Sequence, residues 1–171
     1  MITTTRRSLS KTLALAAAAA ALGAPTLAAA AADPTEILGT WRLVSYVVEV
    51  QQSGEIMPVM GAHPSGGVVF TPNGRVFFML TADGRKPGKT DAEKAALLDT
   101  IVSYTGRAEI KGDQWTTHVE AAWNPQWVGT AQTRNFKVDG DKLQVTTPWR
   151  VMPNWADKGM TRSLIMFERQ K

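Results

Sequence analysis

A chain of 171 residues, 44% hydrophobic and 20% charged, is sized and composed for a single globular core. The absence of cysteine excludes disulfides, Fe–S clusters, thiol catalysis and a lipoprotein anchor. The formal charge of +4 is concentrated at the start: without Arg6, Arg7 and Lys11, 16 Lys and Arg face 15 Asp and Glu, which removes any electrostatic case for nucleic acid or an anionic membrane as partner.

Arg6, Arg7 and Lys11 precede an Ala/Leu run that begins after Thr12, and Ala28 to Ala32 offer several Ala-x-Ala cleavage sites. This pattern predicts a signal peptide over 1–32 and a mature domain over 33–171 that is periplasmic or secreted. The apolar stretch Leu13 to Leu22 ends at Gly23 and Pro25. It is shorter than the roughly 20 residues a bilayer-spanning helix needs, and no later segment is longer, so no integral membrane segment is expected once the signal is removed. Thr5-Arg6-Arg7-Ser8-Leu9-Ser10-Lys11 has the form of a twin-arginine signal, with Ser10 where a second apolar residue is preferred. A general secretory signal with paired arginines is the alternative.

The domain opens with Gly39-Thr40-Trp41 at the head of its first strand. Alternation and turn residues then predict strands at 39–50, 55–58, 67–71, 75–82, 104–111, 115–123, 130–138, 142–150 and 161–170. Asn73-Gly74, Gly112-Asp113 and Asp139-Gly140 supply hairpin turns. One helix is predicted over 91–103, started by a Thr90/Glu93 capping box and given an apolar side by Leu97, Leu98, Ile101 and Val102. Eight or nine antiparallel strands with one short helix predict an all-β barrel or sandwich. A hairpin about Asn73-Gly74 pairs Phe70 with Phe77 and Val68 with Met79, leaving Val69, Val76, Phe78 and Leu80 on the opposite face. Both faces are then apolar, and the outer one calls for a cover, either the helix or a second copy of the chain.

The landmarks Leu38-Gly39-Thr40-Trp41-Arg42-Leu43-Val44-Ser45, Gly67-Val68-Val69-Phe70-Thr71-Pro72-Asn73-Gly74-Arg75 and Tyr104-Thr105-Gly106-Arg107 resemble the bacterial and fungal lipocalin-like domains of the calycin group. So do His118-Val119-Glu120 and the stretch Pro125 to Phe136, and the resemblance runs from about Leu38 to Glu168. It implies an antiparallel lipocalin-like β-barrel around a cavity for a small lipophilic molecule, and it implies no reaction. By the same resemblance a basic side chain at the end of the last strand covers the Gly-x-Trp ring. Arg169 occupies that place, which makes Gly39, Trp41 and Arg169 a structural set.

Alternation places Tyr104, Gln132 and Arg134 inward with Ala108, Ile110, Phe136 and Val138. On 115–123 either face has a claim: Trp115, Val119 and Trp123 are apolar, whereas the opposite face carries His118 and Glu120, which are taken here as inward. Tyr104, His118, Glu120, Gln132 and Arg134, with Trp127 at the barrel mouth, then form the candidate ligand-binding set. If the protein is an enzyme, His118, Glu120 and Arg134 are the catalytic candidates, as base, orienting acid and oxyanion holder for an isomerase, cyclase or hydrolase. Binding without turnover is the preferred reading, and a Glu120–Arg134 salt bridge that only closes the interior is the plain alternative. An envelope interaction protein is the third.

Trp123, Trp127, Trp149 and Trp155 sit near Pro125, Pro148 and Pro153, as loop anchors or as contacts for an apolar ligand. With only His63 and His118 and no metal-binding spacing, no metal is expected. The loop Gly61 to Gly66 lacks nucleophile-elbow spacing, and no phosphate loop or dinucleotide fingerprint occurs, so no cofactor is expected either. The expected partners are a small lipophilic molecule and, through the outer face, a second copy of the chain.

Overall fold

The computed structural model describes residues 35–171. The signal peptide expected over 1–32 lies outside the described residues. Strands β1 (Gly39–Val50), β2 (Ile56–Met57), β3 (Ser65–Phe70) and β4 (Arg75–Thr81) lead to the helix α1 (Asp91–Ala96). After it come β5 (Ile101–Lys111), β6 (Gln114–Ala122), β7 (Ala131–Asp139), β8 (Lys142–Thr146), β9 (Arg150–Val151) and β10 (Met160–Arg169). Neighbouring strands pair antiparallel, and the sheet closes because β1 bonds to β3 on one side and to β10 on the other. Eight strands form the barrel, while β2 and β9 are two-residue additions along β1 and β10. The antiparallel barrel with one short helix expected from the sequence is the architecture observed.

Closure rests on the first and last strands. Trp41 stands opposite Arg169 in the ladder and is fully buried. Its Nε1 donates to Ile37 O at 2.8 Å, and the Arg169 guanidinium lies 4.0 Å from the ring centroid. That guanidinium also donates to Leu38 O (2.9 Å) and Glu36 O (2.7 Å), tying the entering chain across the barrel end. Gly39 is needed there: its φ of +115° is open to glycine, and a Cβ would sit 3.3 Å from Arg169 Nη1.

The helix is shorter than the expected 91–103. Glu93 N donates to Thr90 Oγ1 and Thr90 N to Glu93 Oε2, completing the capping box. The chain then tightens into a 3-10 turn at Leu97–Thr100 and becomes strand at Ile101, where pairing with Thr81 begins. β-branched Ile101 and Val102 suit the sheet better than another helical turn. No residue of the helix or the 3-10 turn is buried, so this segment does not shield the barrel wall.

The β3–β4 register differs by one residue from the expected one. Phe70 pairs with Val76 and Val68 with Phe78, not Phe70 with Phe77 and Val68 with Met79. Pro72 fixes its φ for the first corner of a turn, and Gly74, at φ +75°, takes the left-handed place that ends a three-residue loop. Thr71 N donates to Arg75 O across the loop's base. The faces change accordingly: Val68, Phe70, Val76, Phe78 and Leu80 are buried inside, and Phe77 and Met79 are exposed outside.

Bulges re-aim two other strands. In β1 the register slips between Leu43 and Ser45, so buried Trp41 and Leu43 are followed on the inside by Tyr46 and Val48. In β6 the extra residue is Glu120, since Gly106 pairs with Val119 and Thr105 with Ala121.

Aromatic rings fill the Trp41 end. Phe70 meets Trp115 edge-on at 5.1 Å, Trp115 meets Phe136 at 5.9 Å, and Phe78 meets Phe167 at 6.0 Å. A file of rings continues toward the opposite end through Phe78–Tyr104 (4.9 Å, stacked), Tyr104–Trp127 (5.5 Å) and Trp127–Trp123 (4.7 Å).

The register has a direct test in chemical denaturation. Phe78→Ala is expected to cost about 3–5 kcal/mol, as for a buried ring, while Phe77→Ala stays within about 0.5 kcal/mol of the parent. The reverse ranking would restore the other register.

Candidate functional site

On β7 the inward residues run from half-buried Gln132 through Arg134, which is 2% exposed, to Phe136. Arg134 therefore sits where the polar upper half of the barrel meets its aromatic floor. A second guanidinium arrives from a different direction. Pro148, which has no N–H, follows the end of β8 at Thr146, and the chain restarts as β9, where Arg150 pairs with Thr161 of β10. Arg150 Nη1 donates to Gln132 Oε1 at 2.7 Å, and Arg134 Nη2 approaches the same oxygen at 3.5 Å. Both guanidiniums lie over the Trp127 ring, at 5.1 Å for Arg150 and 5.8 Å for Arg134, and Arg134 is 5.9 Å from the Tyr104 centroid.

Hydroxyls complete the polar layer. Tyr46 Oη and Ser163 Oγ share a hydrogen bond of 2.7 Å, Ser163 N donates to Thr147 Oγ1 at 2.8 Å, and Trp115 Nε1 donates to Thr117 Oγ1 at 3.2 Å. Burial raises the Tyr46 phenol above its usual pKa, although Ser163, Arg150 and Arg134 pull it down. Burial, and after it the charge of Arg134, lowers Arg150 to about 10. Arg150 is still protonated at neutral pH.

Among the described residues no Asp or Glu is buried, and neither Arg134 nor Arg150 forms an ion pair. Inside the wall, among the described residues, the buried donors Tyr104 Oη, Arg150 Nε and Trp155 Nε1 are also unpaired. A buried cation without a counter-charge costs several kcal/mol, and unmet donors add about 1–3 kcal/mol apiece. Half-buried Arg150 costs less, and Arg134 recovers part of its cost through Thr133 O, to which its Nη1 donates at 2.8 Å. The barrel interior thus carries a positive, donor-rich layer with no acceptor of matching charge.

His118 and Glu120 stand on the other side of the wall. Expected inward, they lie on the outer surface, because the buried residues of β6 are Trp115, Thr117 and Val119. Burying an indole of 150–250 Å² contributes about 4–6 kcal/mol, and a face bearing a carboxylate and an imidazole cannot match that. Glu120 is held by Arg75 through two bonds of 2.9 and 2.7 Å, and this pairing lowers its pKa. His118 Nε2 lies 3.1 Å from Glu109 Oε1. The Glu120–Arg134 bridge weighed as the plain alternative does not form, since Glu120 pairs with Arg75, and the catalytic candidates for an enzyme, His118, Glu120 and Arg134, are divided between the two faces of the sheet. Tyr104, Trp127, Gln132 and Arg134 do share the interior.

Arg150, Tyr46 and Ser163 escaped the sequence reading. A continuous strand over 142–150 with Leu143 and Val145 inside would turn Arg150 outward; Pro148 was the available signal that the strand stops. Strict alternation from Trp41 would likewise turn Tyr46 outward, and no residue type announces the bulge that brings it in. Of the other loop tryptophans, Trp155 is buried beside Tyr46 at 6.0 Å, and Trp149 lies under the Arg162 guanidinium. No group of His, Asp and Glu able to hold a metal occurs among the described residues. Among them, too, no helix is long and apolar enough to cross a membrane.

On the outer wall Phe77 and Met79 are 49% and 57% exposed. They flank a groove of about 450 Å³ that also touches Ser103, Thr105, Ala121 and Trp123.

The model of a family described as a lipocalin-like domain matches residues 38–170. No curated protein matches the chain.

The unbalanced charge inside the barrel should be measurable in the empty protein. Replacing Arg134 with Met, which keeps volume and removes the cation, is expected to raise stability to urea by about 1–4 kcal/mol. A loss of stability would mean that Arg134 is satisfied by the fold itself.

Proposed function

The chain belongs to the lipocalin-like domain family, and on that premise we propose that it is an exported barrel that binds a small amphipathic molecule with its acidic head group against Arg134 and Arg150. The observation that carries this reading is the pair of inward guanidiniums with no carboxylate beside them. A protein that keeps such a pair at a cost to its own stability has a use for it, and an entering anion supplies the missing charge. The aromatic file Tyr104–Trp127–Trp123 offers apolar surface beside the charged layer, the mixture expected of a small-molecule site. Export to the periplasm or the outside is supported by the basic, apolar and Ala-x-Ala regions of 1–32.

Trp127, in contact with both arginines, makes intrinsic fluorescence the readout. Dodecanoate is expected to quench it saturably, and dodecanol and dodecyltrimethylammonium, which lack the anion, to do so at least about tenfold more weakly. Arg134→Ala is expected to weaken dodecanoate by a similar factor or more. Binding indifferent to head-group charge, or unchanged in Arg134→Ala, overturns the reading.

A second reading, self-association through the outer wall, is favoured by exposed Phe77 and Met79, two residues apart on the outer face of β4. Met79→Lys is then expected to convert a dimer to a monomer in sedimentation velocity without loss of fold. A parent protein that already sediments as a monomer at high concentration removes this reading.

A further inference from the structure

The interior donors are numerous enough to say more about the head group than its sign. This step rests on the binding reading above. Arg134 comes from β7, Arg150 from β9 and Tyr104 from β5, so the donors reach the layer from three separate elements. The charged and titratable groups facing one another there are Arg134, Arg150, Tyr46 from β1 and Tyr104, with no carboxylate or imidazole among them in the described residues. Burial, which raises the Tyr46 phenol, keeps that hydroxyl protonated at pH 7. The layer therefore holds two positive charges.

Among the described residues the acceptor common to the two guanidiniums is the Gln132 side-chain oxygen, and Arg134 also donates to Thr133 O at 2.8 Å. An amide oxygen meets the geometry of a shared acceptor and leaves the charge untouched. It also leaves Arg150 Nε and Tyr104 Oη without partners. A carboxylate in its place would cancel one of the two charges and bring two oxygens. A phosphate monoester carries close to two negative charges near neutral pH and three terminal oxygens, and guanidinium pairs match it through charge-assisted bonds.

We infer that the site is built for a dianionic head group of the phosphate-monoester kind on an apolar tail, and that Gln132 holds the place of its oxygens between Arg134 and Arg150 until it arrives. Gln132 is then a positioning residue that keeps two like charges side by side in the empty barrel. The ligand displaces its oxygen from Arg150 and meets the free donors.

Titration calorimetry of the full mature domain with dodecyl phosphate and dodecanoate, both below their micellar concentrations, tests this. At pH 8 the phosphate is expected to bind at least about tenfold tighter than the carboxylate. The advantage should shrink on going to pH 5, as the phosphate's second proton, with a pKa of about 6, returns. Arg150→Gln is expected to bring the two ligands within about threefold of each other while dodecanoate still binds. Gln132→Glu supplies one charge internally and is expected to erase the phosphate preference without unfolding the barrel. That variant decides the matter if Arg150→Gln proves unstable. Equal affinity for the two acids at pH 8, or a preference that survives both substitutions, overturns this inference and leaves the binding reading intact. Failure of both acids to bind overturns both.

Discussion

The contact between Trp41 and Arg169 is where this barrel is made into a closed object. A sheet of eight strands has two edges unless its first and last strands meet, and here those strands bring the indole and the guanidinium opposite each other in the same ladder. The interaction is worth roughly 0.5–2 kcal/mol as a cation–π pair, but its position matters more than its size. Arg169 also bonds the carbonyls of Glu36 and Leu38, so one side chain fixes the entry of the chain, the end of the chain and the floor of the interior. The aromatic packing of Phe70, Trp115, Phe136 and Phe167 presupposes that closure.

With the floor closed and apolar, polar groups are confined to the other half of the interior. That division explains why the two arginines are so exposed to each other electrostatically. Below them are rings that offer no acceptor, around them are hydroxyls, the Gln132 amide and the Thr133 carbonyl, and among the described residues no carboxylate is buried. On the outer surface, ion pairs exposed to water such as Arg42–Glu168 contribute little. In the interior the two guanidiniums have no ion-pair partner among the described residues.

The features that create this asymmetry are local irregularities of the sheet. The slip in β1 turns Tyr46 inward, the stop at Pro148 lets Arg150 enter from a separate two-residue strand, and the three-residue loop at Pro72-Asn73-Gly74 sends Phe78 inside and leaves Phe77 and Met79 outside. Each costs a ladder bond or a turn of regular pairing and changes which face a side chain occupies. In a β protein a one-residue change of register exchanges the two faces entirely, so small backbone events have large consequences for what the interior contains.

Taken by itself, the chain's sequence determined the class of fold, the antiparallel order and the structural set at the barrel end. Turn residues at regular spacing and a period of two are local properties, legible without knowledge of neighbours, and the resemblance to lipocalin-like domains marked Gly39, Trp41 and Arg169 as a set that the meeting of first and last strands makes adjacent. It also determined that Tyr104, Gln132 and Arg134 share a face with Phe136 and Ala108. Only the tertiary structure decided that His118 and Glu120 face outward, because both faces of β6 carried a credible claim and the choice fell to the burial of Trp115 and Val119 against neighbouring strands. It alone brought Arg150 and Tyr46 beside Arg134, since bulges and strand breaks are settled by pairing partners distant in sequence. The helix ended early for the same reason: Ile101 had a strand to join, and a partner across the sheet outweighed the amphipathic pattern of its own segment.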